Sequence, residues 1–458
     1  MNIDESVRTA VVFVHGLLER RPMDVLDEFA RTALTPNGGR WEYVPEPIEI
    51  TDSYEARRYV TPSGVDLFEY NWSFLMTSAR YAGFMPAVAR ILLRRPRHVP
   101  DQVFGIWRAV VLTVLIPLVV IVALFVVGGY FLHTGVAGWI IGVATSVVVL
   151  TVALAVFRLL PRALTRSFLT TGFVNVARYF DIAPESQAAR RAIRGGLVDL
   201  LYTLQQGRYA RVVVVGHGIG GYIAYDALTA LWTEMHELRA AAGAVPSPPT
   251  EACAHDSMEQ FQQQQFCRWQ DLRRLGNPWR ITDFVTVGTP LALAEVFVAR
   301  PPILSGCGRV DRRHALFGSL IRRGVVCSCP PLDENSGEPT MLGGLSPFAV
   351  TRWSNIWFPL RRGAIRGDWF GGALAPLFGT GVRDIAVTGN LPERLTPGLA
   401  HTRYFKYPER DADGDVASEL RKVLALDDHL GLDVSVNAPE PDPATVGRVV
   451  YRSWQRSM

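Results

Sequence analysis

The chain has 458 residues, of which 48% are hydrophobic and 20% are charged, and its formal net charge is +4. This composition excludes a disordered, collagen-like or coiled-coil protein, and so small a positive charge does not indicate a nucleic-acid partner. The five cysteines are an odd number at irregular spacing, which argues against a disulfide framework and for a reducing compartment. Residues 1–10 do not have the pattern of a signal peptide.

The first predicted element is a buried strand over 10–14, which is apolar throughout and leads into His15-Gly16. A helix is predicted over 23–34, because Pro22 favours the start of a helix. A strand over 65–72 and a helix over 73–93 are expected to follow.

Residues 109–157 contain no Asp, Glu, Lys or Arg. A helix needs about 20 apolar residues to cross a bilayer, so this run predicts a transmembrane hairpin of two helices, near 108–128 and 136–158. Arginines flank both ends of the hairpin and none lies in its turn, which by the positive-inside rule places both flanks in the cytoplasm. The sequence therefore predicts a two-pass membrane protein, with the lipid bilayer as a partner and both termini and the main domain cytoplasmic.

The second half of the chain alternates strands with helices, a pattern that predicts a mostly parallel sheet covered on both faces. The predicted elements are helices over 184–206 and 222–238 and strands over 211–215, 281–287, 351–358 and 384–388. Residues 240–266, rich in Ala, Pro and Gln, are interpreted as a surface excursion.

The strand over 211–215 ends in Gly216-His217-Gly218-Ile219-Gly220-Gly221, and a helix follows. This is the layout of a nucleophile elbow, in which G-x-S-x-G places a side chain on a sharp turn above the sheet. With VVFVHG at 11–16 and VTVGTPL at 285–291, the chain resembles the α/β-hydrolase superfamily, and within it the esterase- and lipase-like membrane hydrolases. The similarity covers most of 8–30 and 190–410.

The resemblance implies an α/β-hydrolase fold, with the predicted transmembrane hairpin inserted into it. The hydrolase domain would comprise residues 1–100 and 161–430, the hairpin 101–160, and a C-terminal tail 431–458. The implied reaction is hydrolysis of a carboxylic ester, with an ester or lipid-like small molecule as substrate and no cofactor.

One position departs from the family pattern, because the nucleophile position is occupied by Gly218. Glycine has no hydroxyl, thiol or carboxylate, so an acyl-enzyme cannot form there by the usual route. The neighbouring His217 is interpreted as a packing residue.

The family's chain order of nucleophile, acid and base points to Asp368 as the acid and His401 as the base. Asp384 is the rival acid, since it too lies near a predicted strand, although it precedes that strand rather than following a strand end.

The implied oxyanion hole consists of the backbone amides of Leu17 and Ile219. Backbone donors do not depend on side-chain identity, so the site could still bind a carbonyl group, and a water held by His401 could attack it. Three interpretations stay open: a hydrolase weakened by the loss of serine, a pseudoenzyme that binds an acyl ligand or a partner protein, and a serine hydrolase carrying an inactivating substitution.

A cluster of metal-type ligands also occurs in the sequence. Cys307, His314, Cys327 and Cys329 have side chains suited to zinc, but their spacing is not that of a familiar zinc site. We therefore expect no metal.

Overall fold

The computed structural model describes residues 8–16, 24–34, 42–76, 101–131, 135–166, 176, 178–179, 184–207, 209–241, 257–295, 309–331, 346–359, 367–387, 399–405 and 415–426. The prediction for 77–93 and the tail 431–458 lie outside these residues.

The centre of the fold is a mixed sheet of nine strands in the order β2-β4-β5-β1-β6-β7-β8-β9, with β3 paired to β4. The strands are β1 (Arg8–Val14), β2 (Val44–Pro45), β3 (Glu49–Ile50), β4 (Glu55–Val60), β5 (Val65–Asn71), β6 (Tyr209–His217), β7 (Ile281–Val287), β8 (Arg352–Trp357) and β9 (Arg383–Ala386). The run from β5 to β9 is parallel, whereas β2 and β3 pair antiparallel to β4, and β4 to β5.

Helices cover both faces of this sheet. The helices of the described residues are α1 (Asp24–Leu34), α2 (Asp101–Phe131), α3 (Val136–Arg166), α4 (Pro184–Gln206), α5 (Ile219–Ala241), α6 (Met258–Arg274), α7 (Arg309–Arg322), α8 (Ala375–Phe378) and α9 (Val416–Leu424). One apolar core joins the sheet to α4, α5 and α6, and the other joins its opposite face to α1 and α9. The expected α/β architecture with buried parallel strands is therefore present.

The central strands place the loops that follow them at one edge of the sheet. β1 and β6 are neighbours and parallel. After β1 the chain continues into the strands on one side of this pair, β2 to β5, whereas after β6 it continues into β7 on the other side. In open α/β sheets, ligands bind beside the carboxyl ends of the strands where the connections diverge in this way. The fold therefore favours a ligand site at the loops that follow Val14 and His217.

The antiparallel edge was not predicted from the sequence. β4 carries Arg57 and Arg58, whose side chains bond to carboxylates on β5 at 3.3 Å (Glu69) and 2.7 Å (Asp66). Charged residues on adjacent positions hide the alternation that normally identifies a strand. Cross-strand ion pairs stabilise the pairing instead.

Helices α2 (Asp101–Phe131) and α3 (Val136–Arg166) are long and pack against each other. The prediction that this hairpin is transmembrane is wrong, because no helix in the part of the chain that the structure describes has both the length and the apolar character needed to span a bilayer. The two-pass localisation with cytoplasmic termini is contradicted by the same finding. The helices also extend past the uncharged run, over Arg108 and Arg158. The uncharged run therefore predicted two paired helices correctly, but it predicted their location in a membrane wrongly.

The predicted surface excursion over 240–266 is wrong in its second part. Helix α6 begins inside it, after Ser257, whose side chain accepts a hydrogen bond from the backbone amide of Gln260. Phe261, Phe266 and Trp269 face the core and are buried. The glutamine-rich composition masked this apolar face, while 242–256 lie outside the described residues.

A buried ion cluster lies at the amino-terminal end of β7. Asp283 bonds to Arg211 at 2.6 Å and to Arg352 at 2.8 Å. Burial alone would raise the pKa of Asp283, but the charges of Arg352 and Arg211 and the hydrogen bonds from Arg352 and Thr282 lower it to about 2. The carboxylate therefore stabilises the folded chain at pH values above its ordinary pKa.

We predict that Asp283→Asn lowers the free energy of unfolding by about 3–5 kcal/mol at pH 7, because it leaves the buried guanidinium of Arg211 and the partly buried guanidinium of Arg352 without their anion. The folded-state pKa is depressed, so this difference from the unchanged protein should shrink as the pH falls from about 4 towards 2. Urea unfolding at a series of pH values measures it. Asp271→Asn, which removes an exposed pair with Arg274, is the matched control and should cost less than about 1 kcal/mol.

Candidate active site

The sharp turn between β6 and α5 is the first component of the site. Gly218 has φ +54°, a left-handed conformation that glycine adopts at low cost. Its amide donates to the carbonyl of Val287 at 3.0 Å, and its carbonyl accepts from the amide of Gly221 at 3.1 Å. The strand, the turn and the helix have the layout of a nucleophile elbow.

Close packing beneath the turn requires a second glycine. A Cβ at Gly220 would overlap the carbonyl oxygen of Val14, at the end of β1. The first turn of α5 therefore rests directly on β1, which brings the loop after β1 next to Gly218. The Cα of Gly16 lies 3.6 Å from the Cβ position of Gly218.

A buried acid–imidazole pair lies above this turn. Asp368 is fully buried, and both of its carboxylate oxygens lie 3.1 Å from Nδ1 of His401. The carboxylate also accepts from the backbone amide of Phe370 at 2.8 Å and from the hydroxyl of Tyr404 at 2.7 Å. Three hydrogen-bond donors, one from the loop of Asp368 itself and two from the segment 399–405, thus stabilise the charge of Asp368.

The electrostatics keep this carboxylate ionised. Burial would raise the pKa of Asp368, but the charge and hydrogen bond of His401, together with the hydrogen bonds from Phe370 and Tyr404, lower it below its ordinary value. Because an ionised carboxylate only accepts hydrogen bonds, Nδ1 of His401 must be the donor. In the neutral imidazole, Nε2 then carries the lone pair.

The lone pair of His401 is directed at the turn. A Cβ built on Gly218 would lie 3.2 Å from Nε2 and 3.4 Å from Cε1 of His401. The imidazole thus stands over the position from which a nucleophilic side chain would project. Because 3.2 Å is tight for a Cβ contact, a serine at this position requires the ring to withdraw by a few tenths of an ångström. The side chain of His401 is 12% exposed.

The structure brings Gly218, Asp368 and His401 together and places the rival acid elsewhere. Asp384 accepts from the side-chain amide of Asn355 at 2.7 Å and from the backbone amide of Ala375 at 2.8 Å. It therefore caps the first turn of α8.

The structure describes one of the two expected oxyanion donors. Ile219 is the first residue of α5, so its amide belongs to the unpaired first turn of a helix. Leu17 lies outside the described residues, although Gly16, which precedes it, adjoins the turn.

Among the described residues no group of histidines, cysteines and carboxylates has the arrangement of a metal site. Cys327 and Cys329 are buried thiols, and burial raises the pKa of each to about 12. They remain protonated, which is unfavourable for metal binding. Cys307 is not among the described residues.

Two residues of the site were not found from the sequence. Tyr404 donates to Asp368 and accepts from the amide of Phe358 at 3.0 Å, and burial raises the pKa of its hydroxyl well above the ordinary value. Gly288 has φ +56°, and a Cβ there would overlap the Tyr404 ring and lie 2.8 Å from Oδ2 of Asp368. Two features of the sequence could have indicated these residues: a tyrosine three residues after His401, and a glycine directly after β7.

We predict that Gly288→Ala destabilises the protein by at least about 1–3 kcal/mol, because it adds strain at positive φ and displaces Tyr404. Gly195→Ala in α4, where an added Cβ meets no atom within 4 Å, is the matched control and should stabilise by about 0.5–1 kcal/mol. Urea unfolding of the three proteins measures both effects. Equal stability of the two variants would contradict the described packing around Asp368.

Comparison with protein families, with curated proteins and with solved structures finds no match for this chain. The resemblance to the α/β-hydrolase superfamily therefore remains a prediction from the residues quoted above.

Proposed function

We propose that the protein is an α/β-hydrolase-type esterase that hydrolyses carboxylic esters with water, instead of a serine, as the nucleophile. The observation that carries this proposal is the position of His401 Nε2, 3.2 Å from the Cβ position of Gly218, while Nδ1 is bonded to Asp368. His401, oriented by Asp368, thus faces a turn that offers backbone hydrogen-bond donors but has no side chain at Gly218.

The proposed reaction proceeds in two steps. Nε2 of His401 removes a proton from water as the oxygen attacks the ester carbonyl carbon, and the tetrahedral oxyanion accepts a hydrogen bond from the amide of Ile219. The C–O bond to the leaving group then breaks, and the protonated His401 returns the proton to the departing alkoxide. The products are a carboxylic acid and an alcohol.

Asp368 contributes by orientation and charge. Its bond to Nδ1 holds the tautomer in which Nε2 is basic, and its negative charge stabilises the imidazolium that forms during attack. Tyr404 and the amide of Phe370 keep Asp368 in place. None of these groups forms a covalent intermediate.

The expected rate is modest. In a studied protease, an enzyme that has lost its triad still exceeds water by on the order of 10³–10⁴-fold, through its oxyanion hole and substrate binding. We expect a rate enhancement over water in this range, because the protein has no covalent nucleophile at Gly218. Activated esters with good leaving groups are the substrates on which such a rate is measurable.

We predict that the protein hydrolyses p-nitrophenyl butyrate, and that His401→Gln and Asp368→Asn each reduce kcat/KM by at least about 10²-fold. His236→Gln, which changes a partly exposed histidine of α5 away from the turn, should retain full activity and controls for hydrolysis by surface imidazoles. Activity that survives loss of His401 would contradict the proposal.

We also predict that Gly218→Ser, but not the unchanged protein, is labelled by a fluorophosphonate probe. The turn already has the backbone conformation of an elbow, so the new hydroxyl would lie beside Nε2 of His401 after a small shift of the ring. Adding His401→Gln to Gly218→Ser should abolish labelling. If folded Gly218→Ser is not labelled, the backbone does not form a working elbow.

A second function, binding of an acyl ligand without turnover, is favoured by the close approach of His401 to Gly218. The ring occupies part of the volume that a nucleophile would need, as expected of a site whose geometry has relaxed around glycine. Calorimetric titration with butyrate tests it. Binding that depends on His401, in protein that hydrolyses no ester, would support this function over the esterase.

A further inference from the structure

The site contains a second buried histidine that the proposed reaction does not use. His217, the last residue of β6, is 3% exposed and lies between the elbow and the segment 399–405. Its ring stacks on that of His401, with centroids 5.4 Å apart and planes at 21°. Tyr404 and Phe405 pack edge-on against the same ring.

His217 also bonds to the backbone of the residue on which it stacks. Its Nε2 lies 3.3 Å from the carbonyl oxygen of His401. A carbonyl only accepts, so Nε2 carries the proton and Nδ1 the lone pair. One side chain thus contacts His401 twice, at the ring and at the main chain.

The other nitrogen of His217 shows that packing alone does not account for this residue. Nδ1 is buried and has no hydrogen-bond partner among the described residues, which is unfavourable for a polar atom. A phenylalanine would fill the space without burying an unpartnered nitrogen. The imidazole adds only one favourable interaction over phenylalanine, the donation from Nε2 to His401.

We propose that His217 is a positioning residue, whose hydrogen bond to the carbonyl of His401 fixes the main chain of His401, and with it the ring, so that Nε2 of His401 faces Gly218. The proposal deepens the esterase function and rests on it for its kinetic consequence, although the placement of His401 can be measured without turnover. The alternative is that His217 is only a packing residue.

The role requires that His217 stays neutral, since a charged ring would repel the imidazolium of His401. Burial, followed by the repulsion of His401, lowers the pKa of His217 to about 3. The other ionisable groups near it are Asp368, whose charge acts in the opposite direction, His15, and Tyr404. His217 therefore keeps its Nε2 proton throughout the neutral range.

Two substitutions separate the stacked ring from the hydrogen bond. His217→Phe keeps an aromatic ring and removes the donor, whereas His217→Gln keeps an N–H at a comparable distance from the main chain and removes the ring. We expect His217→Phe to lower kcat by about 10-fold to 10²-fold with little change in KM, because a small misplacement of a catalytic group has costs of this size. His217→Gln should recover most of kcat, even though it unfolds at lower temperature.

The first measurement is kcat and KM for p-nitrophenyl butyrate, with thermal unfolding of each variant beside it. The second is the downfield proton resonance of His401 Nδ1–H, assigned by its loss in His401→Gln, which needs no turnover. We expect that resonance to shift or broaden in His217→Phe and to persist in His217→Gln.

The outcomes are distinguishable. If the resonance responds as expected in a protein that hydrolyses no ester, the positioning role stands and the esterase function fails. If kcat and the resonance are unchanged in folded His217→Phe, or if both follow thermal stability alone across the two variants, the positioning role is overturned.

Discussion

The buried carboxylate of Asp368 is the constraint on which the site depends. An ionised group without access to water must be surrounded by donors, and here His401, Tyr404 and the amide of Phe370 supply them. The carboxylate lies beyond β8, and two of its donors come from 399–405, so satisfying one charge joins two loops that are distant in sequence. Gly288, at the end of β7, leaves the space that this arrangement occupies.

The backbone conformation of the turn does not depend on a nucleophilic side chain. The elbow is a property of the backbone, held by the contact of Gly220 with the end of β1 and by the hydrogen bonds of Gly218. Neither depends on a side chain at 218. In the proposed hydrolase, glycine at this position excludes covalent chemistry but leaves the proposed base His401, its partner Asp368 and the amide of Ile219 in position. This combination suits activation of water better than acyl transfer.

Prediction from the sequence succeeded where short-range signals are strong. The apolar runs of β1, β6 and β7 identified strands buried on both faces, and the glycines of 216–221 identified the turn. The assignment of Asp368 and His401 followed the chain order of a resembled family, and the structure places both residues at Gly218. Their chemical roles remain predictions.

Prediction failed where tertiary contacts decide the outcome. β4 is stabilised by ion pairs with β5 that no periodicity shows, and the apolar face of α6 is hidden among glutamines. An uncharged run indicated the helices α2 and α3 but led to a transmembrane assignment that the structure contradicts. Tyr404 and Gly288 were missed because each contacts partners that are far away in the chain.

In the proposed reaction, water activated by His401 attacks the ester without a covalent intermediate. Intact-protein mass spectrometry during turnover of p-nitrophenyl butyrate tests it most directly. We expect product release that depends on His401 while the mass of the unchanged protein stays constant, and an added butyryl group on Gly218→Ser under the same conditions. A butyryl adduct on the unchanged protein during turnover would contradict it.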